Sequence, residues 1–97
     1  MKVAFIGLGN MGASLAKAVA KEVAATDLLL VNRSPQKVEE FISKYGGTAS
    51  HVQQAFEEAE VIFLGVKPYQ IFPLLEEYQN ILAERSNLLL VSMAAGL

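Results

Sequence analysis

Four short runs of consecutive apolar residues recur along the chain, at positions 3–6, 28–31, 61–64 and 88–91. Continuous runs of this length, rich in Val, Ile, Leu and Phe, are typical of strands covered on both faces of a parallel sheet. Between the runs, apolar residues recur three or four positions apart, which predicts amphipathic helices. These positions are Met11, Leu15 and Val19; Val38, Phe41, Ile42 and Tyr45; Val52, Ala55, Phe56 and Ala59; and Ile71, Leu74, Leu75, Tyr78 and Leu82.

Helix boundaries can be predicted from capping residues. Ser34-Pro35 indicates an N-cap followed by proline at the first helical position, and Gly46-Gly47 suits the end of that helix. Ser50 with Gln53 predicts a capping box for the next helix. Pro73 is tolerated only in a first turn, so the last helix is expected to begin near Gln70.

The elements alternate as strand, helix, strand, helix, short strand, helix, strand, helix, strand, with Thr48-Ala49 as the short third strand. Right-handed crossovers wind this order into a doubly wound parallel α/β sheet, Rossmann-like, with predicted strand order 3-2-1-4-5 in a single domain. Ligands of such sheets bind beyond the carboxyl ends of the strands, where the strand order reverses.

A glycine-rich turn follows the first strand directly, as Gly7-x-Gly9-x-x-Gly12. In dinucleotide-binding units the first glycine allows the tight turn, the second admits a pyrophosphate, and the third lets helix and strand pack closely. Amide groups at the helix start attract phosphates. We therefore predict that the segment Gly7, Leu8, Gly9, Asn10, Met11 and Gly12 binds a dinucleotide.

The end of the second strand bears on which nicotinamide cofactor is bound. Proteins that prefer NAD usually carry Asp or Glu there, whereas this chain has Asn32-Arg33-Ser34. The Arg33 guanidinium matches a phosphate, and Asn32 and Ser34 can donate hydrogen bonds, so we predict NADPH rather than NADH. Alternatively, Ser34 is only a helix cap and Arg33 an ordinary surface charge.

Two further loops reach the same edge of the sheet. Val66, Lys67 and Pro68 follow the fourth strand, and Lys67 is equally consistent with a cofactor or substrate contact and with a solvated lysine. The small residues of segment 91–97 could lie beside a flat ring, although a simple turn is the preferred interpretation. We expect His51 to be exposed or locally bonded, Tyr69, Phe72 and Tyr78 to be core or domain-contact residues, and Met93 to pack.

Composition excludes several other classes. Ninety-seven residues allow one domain, and a formal charge of −2 without a basic cluster gives no reason to expect nucleic acid or membrane binding. The chain has no cysteine and one histidine, so we expect no disulfide, thiol catalysis or metal site. No apolar stretch approaches the ~18 residues of a membrane span, which makes a cytoplasmic protein the default expectation.

The glycine turn, Asn32-Arg33-Ser34, Val66-Lys67-Pro68 and the segment 92–96, in this order and spacing, resemble pyrroline-5-carboxylate reductases. The resemblance implies reduction of the cyclic imine of 1-pyrroline-5-carboxylate to L-proline with hydride from NADPH. It places residues 7–11 at the pyrophosphate, 32–34 at the 2′-phosphate, 66–68 at the nicotinamide ribose, and Ala94 and Ala95 beside the ring. One departure is Val52, where the family commonly has a cofactor-contacting asparagine.

The resemblance covers only the N-terminal domain of that family. The family's C-terminal helical domain binds the imino acid and forms a homo-oligomer, so we expect the chain to be part of a longer protein and to be inactive alone. No residue is assigned a catalytic role. The alternatives are another NADP-dependent reductase such as a β-hydroxyacid dehydrogenase, a dinucleotide-binding module without chemistry, and, least favoured, a scaffold with a vacant site.

Overall fold

The computed structural model describes residues 1–93, and the predicted contacts of Ala94 and Ala95 therefore lie outside the described residues. The strands are β1 (Val3–Ile6), β2 (Leu28–Val31), β3 (Thr48–Ala49), β4 (Val61–Leu64) and β5 (Leu89–Ser92). The helices are α1 (Asn10–Ala20), α2 (Pro35–Tyr45), α3 (Val52–Glu58), α4 (Pro68–Glu77) and α5 (Gln79–Ala83), with a 3-10 turn at Ala25–Asp27.

The five strands form one parallel sheet in the order β3-β2-β1-β4-β5, which confirms the predicted topology. β1 lies in the centre, where Ile6 pairs with Val31 on one side and with Leu64 on the other. These three residues are the last of their strands, so the loops that follow them begin next to one another at one edge of the sheet. That edge is where the predicted ligand loops meet.

Alternate residues of each central strand pack on opposite faces of the sheet. Ala4 and Ile6 of β1 join one apolar cluster with α3 and α4, whereas Val3 and Phe5 join a second cluster with α1 and α2. The Phe5 ring stacks on its sheet neighbour Phe63 with ring centroids 4.7 Å apart. Burial on both faces explains why these strands are continuous apolar runs rather than alternating ones.

The predicted capping box of α3 is wrong by one residue. The N-cap is His51, whose Nδ1 accepts a hydrogen bond from the Gln54 amide at 3.3 Å. Ser50 is still bound to the sheet edge, because its amide donates to the Leu30 carbonyl at 2.9 Å, and its hydroxyl contacts the Gln54 side chain. The expectation that His51 is locally bonded is confirmed.

The predicted start of the last long helix is also wrong. α4 begins at Pro68, and the Gln70 side chain accepts a hydrogen bond from the Lys67 amide at 3.0 Å. Pro73 therefore lies inside α4, where its missing N–H leaves the Tyr69 carbonyl without a helical donor. Both residues are exposed, so water can satisfy that carbonyl. The predicted single stripe ending at Leu82 belongs to two helices that meet at Tyr78.

Three apolar side chains that could have joined the core are exposed, and only Met11 among them was predicted from periodicity. Tyr69 and Phe72 are 77% and 80% exposed, so neither belongs to the core of this domain, and Met11 is 61% exposed. The other two predicted apolar residues of α1, Leu15 and Val19, pack against the core together with the buried small residues Gly12 and Ala16. The expectations for the other two residues are confirmed, because Tyr78 packs on the Phe56 ring and Met93 packs against the cluster on the α1 and α2 face.

Arg85 joins the chain after α5 to the end of α3. Its Nη1 donates to the Phe56 carbonyl at 2.7 Å and its Nη2 donates to the Ala59 carbonyl at 2.6 Å. Phe56 belongs to the last turn of α3 and Ala59 is its C-cap, so neither carbonyl has a donor farther along the helix. The planar fork of a guanidinium can reach both at once.

We predict that Arg85→Ala lowers the free energy of unfolding by about 1–3 kcal/mol, because two charge-assisted hydrogen bonds are lost. Arg85→Lys recovers only part of this stability, since an ammonium lacks the fork. Urea unfolding of both variants checks the prediction, with Lys21→Ala as the control for loss of one exposed positive charge. Equal midpoints for Arg85→Ala and Lys21→Ala would contradict it.

The opposite edge of the sheet carries an exposed ion pair between Lys2 Nζ and Glu58 Oε1 at 2.7 Å. The hydrogen bond from Lys2 lowers the pKa of the Glu58 carboxyl, and the same bond raises the pKa of Lys2. Because Lys2 precedes β1, this pair lies away from the edge where the ligand loops meet. Within residues 1–93, no helix is long and apolar enough to cross a membrane.

Candidate functional site

The glycine turn after β1 continues the hydrogen bonding of the sheet on both sides. The Gly7 amide donates to the Val31 carbonyl of β2, and the Gly65 amide after β4 donates to the Ile6 carbonyl of β1, each at 2.7 Å. Sheet hydrogen bonds therefore extend one residue past the strands. The loops after β1 and β4 start from fixed positions as a result.

Three glycines pack backbone against backbone below this turn. A Cβ built at Gly12 would lie 2.6 Å from the Gly7 carbonyl oxygen, and one at Gly65 would lie 2.9 Å from the same atom. Gly7 itself has φ +100°, a conformation that favours glycine. We name Gly7, Gly12 and Gly65 the glycine cluster. Because these glycines have no side chains, the first turn of α1 can pack directly against the loop that follows β1.

Gly9 differs from the glycine cluster, because a Cβ there would meet no atom within 4 Å. It is the N-cap of α1, and the first helical hydrogen bond runs from the Ala13 amide to the Gly9 carbonyl at 2.7 Å. The amides of residues 10–12 precede that bond and have no partner within the helix. Open space next to such amides suits an anionic group.

Asn32, the first residue after β2, connects two loops through its side chain. Its Oδ1 accepts a hydrogen bond from the Leu8 amide at 2.9 Å, and its Nδ2 donates to the Ser34 carbonyl at 3.3 Å. The Leu8 side chain is buried in the core, so the turn is held from below as well. Ser34 is the N-cap of α2 by position, but its side chain makes no capping bond.

A groove of about 790 Å³ opens along the carboxyl edge of β1, β2 and β4. Its lining residues are Ile6, Gly7, Leu8, Gly9, Val31, Asn32, Arg33, Lys37, Ser50, His51, Val52, Gly65, Val66, Lys67, Tyr69, Gln70 and Leu74. Of the described residues in this lining, none is acidic, while Arg33, Lys37 and Lys67 are cationic. No ion pair involving those three cations occurs within residues 1–93.

The structure brings seven of the predicted cofactor contacts together in this groove: Gly7, Leu8, Gly9, Asn32, Arg33, Val66 and Lys67. Five others lie next to it without lining it. Asn10 and Met11 are exposed in the first turn of α1, Gly12 is buried in the glycine cluster, Ser34 is half-buried, and Pro68 begins α4. The groove thus joins the loops after the first, second and fourth strands.

Sequence reasoning missed several groove residues. Lys37 lies in the first turn of α2 and lines the groove together with Arg33, and its position directly after the predicted helix start could have indicated it. Tyr69 and Gln70 line the other end, because α4 begins two residues earlier than predicted. Val52 lines the groove at the position where the resembled family commonly has asparagine.

Residues 2–96 match the model of the protein family described as NADP oxidoreductase coenzyme F420-dependent. The chain belongs to this family. Its description agrees with the cofactor class expected from the glycine turn and Asn32-Arg33-Ser34. The match covers nearly all of the chain, including every loop that forms the groove.

Pyrroline-5-carboxylate reductases are similar to this NADP oxidoreductase family member over its whole length, which confirms the resemblance. The enzyme from Escherichia coli is 36% identical over 98 residues, and that from Staphylococcus saprophyticus is 31% identical over 101 residues. A solved pyrroline-5-carboxylate reductase from Coxiella burnetii superimposes with a TM-score of 0.85 at 32% identity and covers 98% of the chain. In each case the chain spans 36% of the relative's length.

The described side chains contain no group of three His, Asp or Glu residues that could hold a metal ion. The groove instead combines open space at Gly9 with cationic side chains, and the first turn of α1, whose amides have no partner within the helix, lies next to it. This set of groups fits the phosphates of a dinucleotide, as expected for a family of NADP oxidoreductases.

Proposed function

We propose that the chain is the NADPH-binding domain of an enzyme similar to pyrroline-5-carboxylate reductase. The observation that carries the proposal is the groove that joins the glycine turn to Arg33 and Lys37 without an acidic side chain among its described lining residues. The space above Gly9 and the amides of residues 10–12 bind the pyrophosphate. Sequence similarity to pyrroline-5-carboxylate reductases supports the choice of enzyme.

Arg33 and Lys37 favour NADPH over NADH. Both cations lie where β2 ends and α2 begins, the region that reads the adenine ribose in doubly wound folds. Arg33 offers a planar fork for the 2′-phosphate, and Lys37 adds a second positive charge. The helix start behind Ser34 contributes a favourable dipole.

We further propose that the substrate is the cyclic imine 1-pyrroline-5-carboxylate and the product L-proline. A bound NADPH supplies the hydride that adds to the imine carbon, while a proton adds to the nitrogen and NADP+ is released. Val66, Lys67 and Pro68 after β4 position the nicotinamide ribose, and Ala94 and Ala95 border the ring. We propose that a C-terminal domain binds the imino acid and forms the homo-oligomer contacts. The 97-residue chain alone is then inactive. A cytoplasmic location stays a prediction.

The description of the family is broader than one enzyme, which supports a second candidate, another NADP-dependent reductase such as a β-hydroxyacid dehydrogenase. The two candidates share the cofactor groove and differ in substrate. Turnover assays of a longer protein carrying this domain, with the cyclic imine and with β-hydroxyacids, distinguish them.

The proposed function is tested first by calorimetric titration of the chain with NADPH and, separately, with NADH. We expect tighter binding of NADPH by about tenfold or more, which corresponds to about 1.4 kcal/mol or more. Equal affinities, or preference for NADH, would contradict the 2′-phosphate assignment. Binding of neither nucleotide would contradict the proposal as a whole.

A further inference from the structure

We propose that Asn32 is a positioning residue that connects the two phosphate-binding segments of the groove, rather than a ligand of the 2′-phosphate. The proposal rests on the function proposed above. One side-chain amide bridges the glycine turn, through the Leu8 amide, and the start of α2, through the Ser34 carbonyl. We name this pair of hydrogen bonds the Asn32 bridge.

The orientation of the Asn32 amide follows from its two partners. The Leu8 N–H can only donate and the Ser34 carbonyl can only accept, so the oxygen must face Leu8 and the nitrogen must face Ser34. Reversing the amide would place two donors against each other and two acceptors against each other. Valine has no polar atom, and serine has only one, whereas the Asn32 amide presents an acceptor oxygen and a donor nitrogen to two separate partners.

The Asn32 bridge acts on two loops, because one hydrogen bond ends in the glycine turn and the other ends at the start of α2. Leu8 immediately precedes Gly9, where the pyrophosphate is proposed to bind, and Ser34 immediately follows Arg33. Holding the two loops at a fixed separation before the ligand arrives reduces the ordering cost of binding. Without the bridge, the Leu8 amide would also lose its partner in a half-buried site.

The proposed roles of Asn32 and Arg33 can be told apart by which nucleotide loses affinity when each residue is replaced. A ligand of the 2′-phosphate influences NADPH alone, because NADH lacks that group. A residue that positions the pyrophosphate turn influences both nucleotides. The Leu8 amide gives a second readout that needs no cofactor, because its hydrogen exchange with solvent slows when it is bonded.

The test compares Asn32→Ala and Asn32→Leu, which remove both bonds, with Asn32→Asp, which retains an acceptor for Leu8. In the first two variants we expect faster exchange of the Leu8 amide and affinity for NADH lowered by about tenfold. Asn32→Asp restores slow exchange of the Leu8 amide but only part of the NADH affinity, because a carboxylate cannot donate to the Ser34 carbonyl, and its added negative charge weakens NADPH further. Ser43→Ala, an exposed change elsewhere on α2, is the control that leaves all three readouts unchanged.

Unchanged Leu8 exchange and unchanged NADH affinity in the bridge-free variants would overturn the proposal, and a loss of NADPH affinity alone in the same variants would make Asn32 a direct phosphate ligand. Failure of both variants to fold, monitored by circular dichroism, would also overturn it by assigning Asn32 to the fold. If the unaltered chain binds neither nucleotide, the proposed function fails and this proposal fails with it. If the unaltered chain binds NADPH and the Asn32 variants keep full NADH affinity, the proposal for Asn32 fails while the proposed function stands.

Discussion

Gly9→Ala is expected to weaken binding of NADPH and NADH alike by at least about tenfold while leaving the fold as stable as before. The added methyl meets no protein atom within 4 Å, and the φ of −69° at this residue is open to any amino acid. The methyl therefore enters only the space proposed for the pyrophosphate. Calorimetric titration and thermal unfolding of the same variant measure the two effects separately.

Gly12→Ala is the matched comparison, because it adds the same methyl group three residues away. There the Cβ would lie 2.6 Å from the Gly7 carbonyl oxygen, so the fold itself must shift. We expect a lower unfolding midpoint for Gly12→Ala and an unchanged one for Gly9→Ala. Full cofactor affinity in Gly9→Ala would mean that the pyrophosphate does not bind at this turn.

Arg33→Ala is expected to weaken NADPH by about tenfold to a hundredfold and to leave NADH affinity unchanged. The reason is the loss of a charge-assisted contact with the 2′-phosphate, which NADH lacks. Arg33 is exposed and forms no ion pair within the described residues, so its removal should cost little stability. Parallel titrations with both nucleotides measure the ratio of affinities.

Lys21→Ala removes a charge of the same sign at an exposed position outside the groove and controls for long-range electrostatics. Arg33→Lys keeps the charge but loses the planar fork, so we expect an intermediate affinity for NADPH. Added salt should narrow the difference between the nucleotides, since an exposed phosphate contact is screened. Equal losses for both nucleotides in Arg33→Ala would show that Arg33 does not read the 2′-phosphate.

The sheet could be predicted from the sequence because its strands are buried on both faces. Such strands must be continuously apolar, and right-handed crossovers leave few possible orders. Even the two-residue strand Thr48–Ala49 has the predicted position. The edge strand β5 begins and ends one residue later than the predicted 88–91. Its pairing with β4 starts at Leu89, so the apolar run begins one residue before the paired segment.

Helix boundaries were less predictable because competing hydrogen bonds decide them. Ser50 has the residue type of a cap, yet its amide is bound to β2, so His51 caps α3 instead. Pro73 was expected in a first turn, yet Pro68 begins α4 and the exposed surface tolerates a second proline inside it. Local sequence shows which residues can cap a helix but not which partners the sheet has already taken.

The site was predictable where it depends on one segment and less so where it depends on two. The glycine turn and the end of β2 were found from their residues, and both line the groove. The bond between Asn32 and the Leu8 amide joins positions 24 residues apart, so no local pattern reveals it. Lys37 was overlooked because a lysine on an amphipathic helix is ordinarily only a solvated charge.

The glycine cluster has a consequence for how this chain can diverge. Two selections could be applied to a random library, one for resistance to proteolysis and one for retention on an immobilised nucleotide. Gly7, Gly12 and Gly65 should stay fixed under both, since their shortest contacts are with backbone atoms, which no side-chain substitution can remove. Gly9 should vary freely under the first and stay fixed under the second. The glycines around this turn are therefore constrained in two ways, the glycine cluster by the fold and Gly9 by the cofactor. A descendant that no longer binds a cofactor should lose Gly9 long before it loses a residue of the glycine cluster.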